Sequence, residues 1–195
     1  MIAIIDSGGA NIASVTHALK RLGQDTVLTA DADVIRQAER VILPGVGAAR
    51  AAMEQLNSKG LVEVVRDLKQ PVLGICLGMQ LLFSHSEEGD VDMLNIIDGA
   101  VRYFDTQADM PIPHMGWNNI IRGSHHPLMT AIDEESYFYF VHSFYAPVND
   151  NTIGVCGYAN EFTAVVAKDN FMGCQFHPER SGYEGSKILK NFLAI

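Results

Sequence analysis

Apolar positions along this chain fall in short blocks, and their spacing changes rhythm halfway. Residues 2–6 form an apolar run that stops at Ser7-Gly8-Gly9. Asn11 then stands where a helix cap is wanted, and Ile12, Val15, Leu19 and Leu22 recur on one helical face as far as Gly23. Residues 26–29 and 40–43 read as strands, 48–56 and 61–68 as helices, 71–75 as a buried strand and 77–85 as a helix. Strands alternating with helices predict a mostly parallel central sheet with helices on its faces. The second half alternates at the shorter period of strands, over 137–141, 152–158, 163–168 and 171–176. Short Asn/Asp/Gly turns join these segments, so some are expected to pair as antiparallel hairpins. A last helix is expected over 182–193, with Ile188, Leu189, Phe192 and Leu193 on one face. No linker, repeat or low-complexity stretch interrupts the pattern. The expectation is one α/β domain spanning residues 1–195.

The sharpest chemical signal is Gly74-Ile75-Cys76-Leu77-Gly78, at the junction of an expected strand and an expected helix. A nucleophile flanked at two residues by glycines on a strand–turn–helix is the pattern of a nucleophile elbow. The glycines allow the tight turn, and the first N–H groups of the helix favour a charged sulfur. The Leu77 N–H points where an oxyanion would form. Cys156 and Cys174 carry no such context and read as small buried apolar residues. Among seven histidines, His177 is best placed as a base, because it follows a strand and precedes Pro178-Glu179. Glu179 is near enough to hold the imidazole tautomer. His17, His125 and His126 read as structural or solvated. The segment 43–50 (Leu-Pro-Gly-Val-Gly-Ala-Ala-Arg) superficially resembles a dinucleotide fingerprint, but Arg50 stands where the third glycine belongs. It reads better as flexible backbone beside the elbow, with Val46 and Gly47 N–H groups completing an oxyanion hole. No zinc-type spacing is present, so neither metal nor cofactor is expected.

Charge changes the picture only by exclusion. Fourteen basic and 23 acidic residues give a formal charge of −9, which offers no general attraction to nucleic acid or an anionic membrane surface. No apolar run approaches the roughly 20 residues of a membrane span. The N-terminus has no signal-peptide pattern. Three widely spaced cysteines make a disulfide framework a poor reading, and a reducing cytoplasmic setting is expected.

Together, PGVG at 44–47, GICLGMQ at 74–80 and QFHPE at 175–179 resemble the motif set of the class I (triad-type) glutamine amidotransferases, in the same order and over most of the chain. PHMGWN at 113–118, SEEG at 86–89 and YFYFVHSF at 137–144 narrow the resemblance to the glutaminase subunits of imidazole glycerol phosphate synthases, enzymes of histidine biosynthesis. The resemblance implies a flavodoxin-like α/β fold and hydrolysis of L-glutamine to glutamate and ammonia. It also implies a heterodimer with a (β/α)8-barrel synthase subunit that uses the ammonia. By this resemblance Cys76 matches the nucleophile, His177 the base and Glu179 the residue that orients it. Gly47, Gln80, Glu88, His142, Ser143 and Phe144 match positions around bound glutamine. Gln80 lies four residues after Cys76, on the same face of the expected helix. Glu88 suits the substrate's α-ammonium, against the plain reading of a solvated loop acid. Trp117, Asn118 and Arg180 are expected toward the partner. Arg180 and Phe144 depart from the family, which usually has Lys and often Tyr there. The alternatives are an amidotransferase subunit of anthranilate or aminodeoxychorismate synthesis, a stand-alone cysteine hydrolase on a related fold, and an inactive partner subunit.

Overall fold

Through residue 80 the chain folds as its apolar blocks alternate. The elements are β1 (Ile2–Ile5), α1 (Ile12–Arg21), β2 (Thr26–Thr29), α2 (Ala32–Gln37), β3 (Arg40–Gly45), α3 (Ala49–Ser58), α4 (Leu61–Arg66), β4 (Val72–Cys76) and α5 (Leu77–Gln80). β5 (Phe83–Ser86), β6 (Val91–Asp92), β7 (Ile97–Tyr103), β8 (His114–Asn119) and β9 (Ile121–Arg122) follow. The chain then runs through β10 (Tyr137–His142), β11 (Phe144–Tyr145), β12 (Thr152–Tyr158), β13 (Asn160–Lys168), β14 (Phe171–Cys174) and α6 (Gly182–Ala194). The structure is a computed structural model that describes residues 1–7, 12–104 and 110–195. The expected Gly8-Gly9 turn and Asn11 cap lie outside the described residues.

The central sheet has eight strands in the order β2-β1-β3-β4-β14-β13-β12-β9. Pairing is parallel from β2 to β14 and antiparallel from there to β9, so the two rhythms of the sequence meet in one sheet. β1 and β4 are buried along their whole length, as parallel strands covered on both faces are. Their side chains divide by parity. Ile2 and Ile4 join a core with Leu19 of α1 and Phe192 of α6. Ala3 and Ile5 join a second core with Leu56 of α3 and Val65 of α4. Each such fully buried Ile, Leu or Phe contributes about 1.5–3 kcal/mol. Two smaller sheets, β10-β8 and β11-β7-β5-β6, flank the site described below. Among the described residues, no helix is long and apolar enough to cross a membrane.

The expected helix over 77–85 is the main departure. Only Leu77–Gln80 is helical, and the chain turns at Leu81 to run as β5 in parallel pairing with β7. Leu81, Leu82 and Phe83 are all fully buried. Three consecutive apolar residues carry no period and fit a buried strand as well as a helix. α2 was not foreseen; its six residues are too few for a face to repeat, but Asp31 caps it by accepting from the N–H groups of Asp33 and Val34 at 2.8 and 3.2 Å. β14 ends at Cys174 rather than at residue 176, and β10 pairs with β8, which the sequence pattern did not announce.

Candidate active site

Three neighbouring strands of the parallel half bring the motifs together at their C-terminal ends. β3 runs beside β4 with Gly45 opposite Cys76, and β14 runs on the other side of β4 with Cys174 opposite Ile75. The loop after β3, the turn after β4 and the segment after β14 therefore face one cleft. Cys76 has φ +54° and ψ −112°, a strained conformation for a residue with a side chain. The glycines around it are required by close approach. A Cβ on Gly78 would sit 1.8 Å from Leu43 O, one on Gly74 2.6 Å from Gly78 O, and one on Gly45 2.6 Å from Gly78 N. The loop, the strand and the turn are thus stacked backbone on backbone, with no room for a methyl group. The one-turn α5 corrects the expected helix dipole: what Cys76 meets is the few unpaired N–H groups of a single turn, Leu77's first among them.

His177 reaches the cleft from the opposite wall. Its N–H donates to Tyr139 O at 3.0 Å. The Ser181 hydroxyl donates to His177 O at 2.7 Å and accepts from Tyr139 N–H at 2.9 Å, which ties the segment to β10. His177 Nδ1 lies 2.8 Å from Glu179 Oε1, and both side chains are buried, at 4% and 0% exposure. Nδ1 donates to the carboxylate, leaving Nε2 for the nucleophile. Burial pushes the imidazolium down, but hydrogen bonds to Cys76 and Glu179 outweigh it and hold the pKa up at about 10. The ring therefore carries a proton beside the sulfur. Cys156 and Cys174 are buried as well, and Cys174 lies close enough to Cys76 and Glu179 for their charges to act on it. Burial pushes the Cys156 thiol up to about 12 and the Cys174 thiol well above its ordinary value.

Between the two walls lies a cleft of about 390 Å³, lined by Val46, Gly47, Cys76, Leu77, Gln80, Glu88, His142, Ser143, Phe144 and His177, with Pro113 and Val141. Every residue expected around the substrate lines it. Gln80 is turned by hydrogen bonds from Nε2 to Phe144 O at 2.9 Å and to Gln175 Oε1 at 2.8 Å. Both its amide hydrogens are committed, so only its carbonyl oxygen is left to meet a substrate. Glu88 is no plain solvated acid: its Oε2 accepts the Ala49 N–H at 2.8 Å and so caps α3, whose own Ala48 offers no side-chain cap. The cap lies directly after the Val46-Gly47 loop. Strand parity separates the two expected partner residues of β8. Trp117 is 56% exposed, whereas Asn118 faces the other way and donates to Gly157 O at 3.1 Å. Arg180 is exposed, one residue beyond the buried Glu179 side chain.

Gln175 and His114 were not singled out from sequence, although each lies inside a quoted motif. Gln175 is fully buried and donates from Nε2 toward Cys76 Sγ at 3.7 Å. His114 lies 3.0 Å from His142. Nothing in the residue pattern marks either one, because their partners are distant in sequence.

Comparison with known proteins gives a consistent picture. Residues 3–195 match the family model described as glutamine amidotransferase class-I. The chain is 50% identical to "Imidazole glycerol phosphate synthase subunit HisH" of Pectobacterium atrosepticum, over 100% of this chain and 99% of that one. It is 49% identical to the protein of the same name from Salmonella typhimurium, over the same shares. Among solved structures, PurLQS from Thermotoga maritima superposes with a TM-score of 0.72 at 22% identity, covering 99% of this chain and 97% of that chain. A crystal structure of a glutamine amidotransferase gives 0.72 at 16% identity with the same coverage. At these identities the structures speak for the fold alone.

Proposed function

The chain belongs to the class I glutamine amidotransferases, in the family of the imidazole glycerol phosphate synthase glutaminase subunits of histidine biosynthesis, and from that premise we propose that Cys76, His177 and Glu179 are its catalytic triad and that the ammonia they release passes to a (β/α)8-barrel synthase subunit. One observation carries the reading: a cysteine strained at the tip of a glycine-locked elbow meets a buried histidine whose far nitrogen is held by a buried carboxylate at 2.8 Å.

The steps follow from that geometry. The Cys76 thiolate attacks the side-chain amide carbon of glutamine, and the C=O electrons move onto oxygen. Leu77 and the Val46-Gly47 loop line the cleft with Cys76, and their N–H groups would hold this oxyanion; such a donor is worth roughly 10²–10³ in rate. Protonated His177 gives its proton to the amide nitrogen, the C–N bond breaks and ammonia leaves a thioester on Cys76. Water then attacks the thioester carbon and loses a proton to His177. Collapse of that adduct expels glutamate and restores the thiolate. Glu179 holds the imidazole orientation and stabilises its charge. Exposed Met115, Trp117 and Tyr137, on the paired strands β8 and β10, together with Arg180, offer an apolar face with a cationic rim beside the cleft. This face is where the synthase subunit would sit.

Acid-quenched turnover with glutamine, followed by mass spectrometry of peptides, tests the assignment. A γ-glutamyl adduct is expected on Cys76 alone. A chain that turns over with no adduct there, or with one on Cys156 or Cys174, would remove the proposal.

A further inference from the structure

Behind the cleft wall runs a set of polar side chains that the triad chemistry does not use. His114, His142, Gln80 and Gln175 are all buried, at 3%, 6%, 4% and 0% exposure. Their hydrogen bonds have only one consistent direction. The Phe144 carbonyl can only accept, so His142 Nδ1, at 2.8 Å from it, carries the hydrogen. His142 Nε2 is then a lone pair, and His114 Nδ1, at 3.0 Å, must donate to it. His114 Nε2 is a lone pair in turn, and it faces Asn118 Nδ2 at 3.4 Å. The Asn118 amide is oriented for this, because its Oδ1 accepts the Asn119 N–H at 2.9 Å and its Nδ2 also donates to Gly157 O. The same Phe144 carbonyl receives Gln80, Gln80 donates onward to Gln175, and Gln175 donates toward the Cys76 sulfur. The His114 ring is clamped between Tyr158, stacked at 4.0 Å between centroids, and Phe140 at 4.9 Å.

We propose that His114 is a positioning residue for glutamine hydrolysis, the hinge of a hydrogen-bond chain that leads from Asn118 on β8 to the cleft wall and through Gln80 and Gln175 to Cys76. The inference rests on the proposed reading of the cleft as a glutaminase site. The His114 Nδ1–H satisfies the Nε2 lone pair of His142 and so supports the tautomer that the Phe144 carbonyl sets. That tautomer holds the Phe144 carbonyl, and the carbonyl holds Gln80 at the place where a substrate is met. Burial supports this by pushing His142 down to about 3 and His114 to about 4, so both rings stay neutral near pH 7 and each has one donor and one acceptor. Without the His114 donor, the buried Nε2 lone pair of His142 loses its partner, and the ring is held at Phe144 alone. The chain also begins on the strand that carries Trp117, one residue from the exposed face. Displacement of β8 by a docked partner would therefore be felt at Gln80 through a few stiff bonds.

Two measurements test this. Imidazole ¹⁵N NMR of the intact chain at neutral pH should show His114 and His142 both neutral with hydrogen on Nδ1; an Nε2-protonated or doubly protonated form of either ring would overturn the chain as drawn. The second uses His114→Phe, which keeps the stacking and loses the donor, and His114→Asn, whose Nδ2 stands close to the lost Nδ1. With the synthase subunit bound, His114→Phe should lower kcat/KM for glutamine about tenfold, mostly through KM, and His114→Asn should recover to within about threefold. Turnover driven by added ammonium salt should be unchanged in both. Equal activity of His114→Phe and wild type, or equal losses in the two variants, would reduce His114 to a packing residue. Absence of glutamine hydrolysis by the wild-type complex would instead sink the proposed function, so the two failures are told apart. If His114→Phe does not fold, the NMR result decides.

Discussion

The two walls of the cleft are built by opposite means. On the Cys76 wall, backbone is packed against backbone: Gly45, Gly74 and Gly78 close on one another and on Leu43 with no side chain between them. On the His177 wall, position is set by side-chain hydrogen bonds of Glu179, Ser181 and His142, each between 2.7 and 3.0 Å. The first arrangement is rigid and tolerates no added volume. The second is directional and carries the protons. An acyl-transfer site needs both, a fixed nucleophile and a partner whose charge can change without the walls moving.

The strongest way to break this comparison is a single methyl group. Gly78→Ala would place Cβ 1.8 Å from a backbone oxygen, and it should cost on the order of 4 kcal/mol or more, seen as loss of the cooperative melt. Gly157→Ala, where nothing lies within 4 Å, should stay within about 1 kcal/mol. Similar melting of the two variants would show that the elbow is not locked as described. On the other wall, His177→Ala should lower glutamine hydrolysis by roughly 10³-fold, within the usual span of general acid–base catalysis, while the fold persists. Glu179→Ala should cost less, because it removes only orientation and charge stabilisation. Equal loss in two folded variants would make Glu179 more than an orienting residue.

A pH series sharpens the same contrast. The His177 pKa is raised from 6.5 to about 10 in the folded chain, so its contribution to stability is full below pH 6.5 and is lost as pH rises toward 10. Denaturant titrations across pH 6.5–10 should lose up to a few kcal/mol in wild type, and His177→Gln should flatten that slope. An unchanged slope would contradict the raised His177 pKa. Smaller still is the effect at Glu88. Glu88→Ala removes the α3 cap and should cost about 1 kcal/mol in stability, whereas Glu88→Gln keeps an acceptor for the Ala49 N–H and should melt near wild type. Both should raise KM for glutamine if the carboxylate also meets the α-ammonium; a normal KM in Glu88→Gln would leave it a cap alone.

How much of this was legible in sequence follows from the same contrast. The elbow is a local constraint, so its glycines announce it at fixed spacing around Cys76, and the parallel half follows from strand and helix periods. His177-Pro178-Glu179 was readable because base and carboxylate are two residues apart. The His114–His142 pair was not, since its members are 28 residues apart and nothing but the fold aligns them. Leu81-Leu82-Phe83 misled, because a run buried on every side has no period to read. Trp117 and Asn118 are neighbours in sequence, but on a strand neighbours face opposite ways, and Asn118 is bonded to His114 and Gly157.

The most direct measurement separates the making of ammonia from its use. The Cys76→Ala chain, assembled with its synthase subunit, is given glutamine in one assay and ammonium salt in the other. Glutamine-dependent turnover should vanish, and ammonium-dependent turnover should match wild type, because the lost sulfur sits only in the glutaminase cleft. Retained glutamine-dependent turnover would contradict the assignment of Cys76, and loss of both would contradict the division of labour between the two subunits.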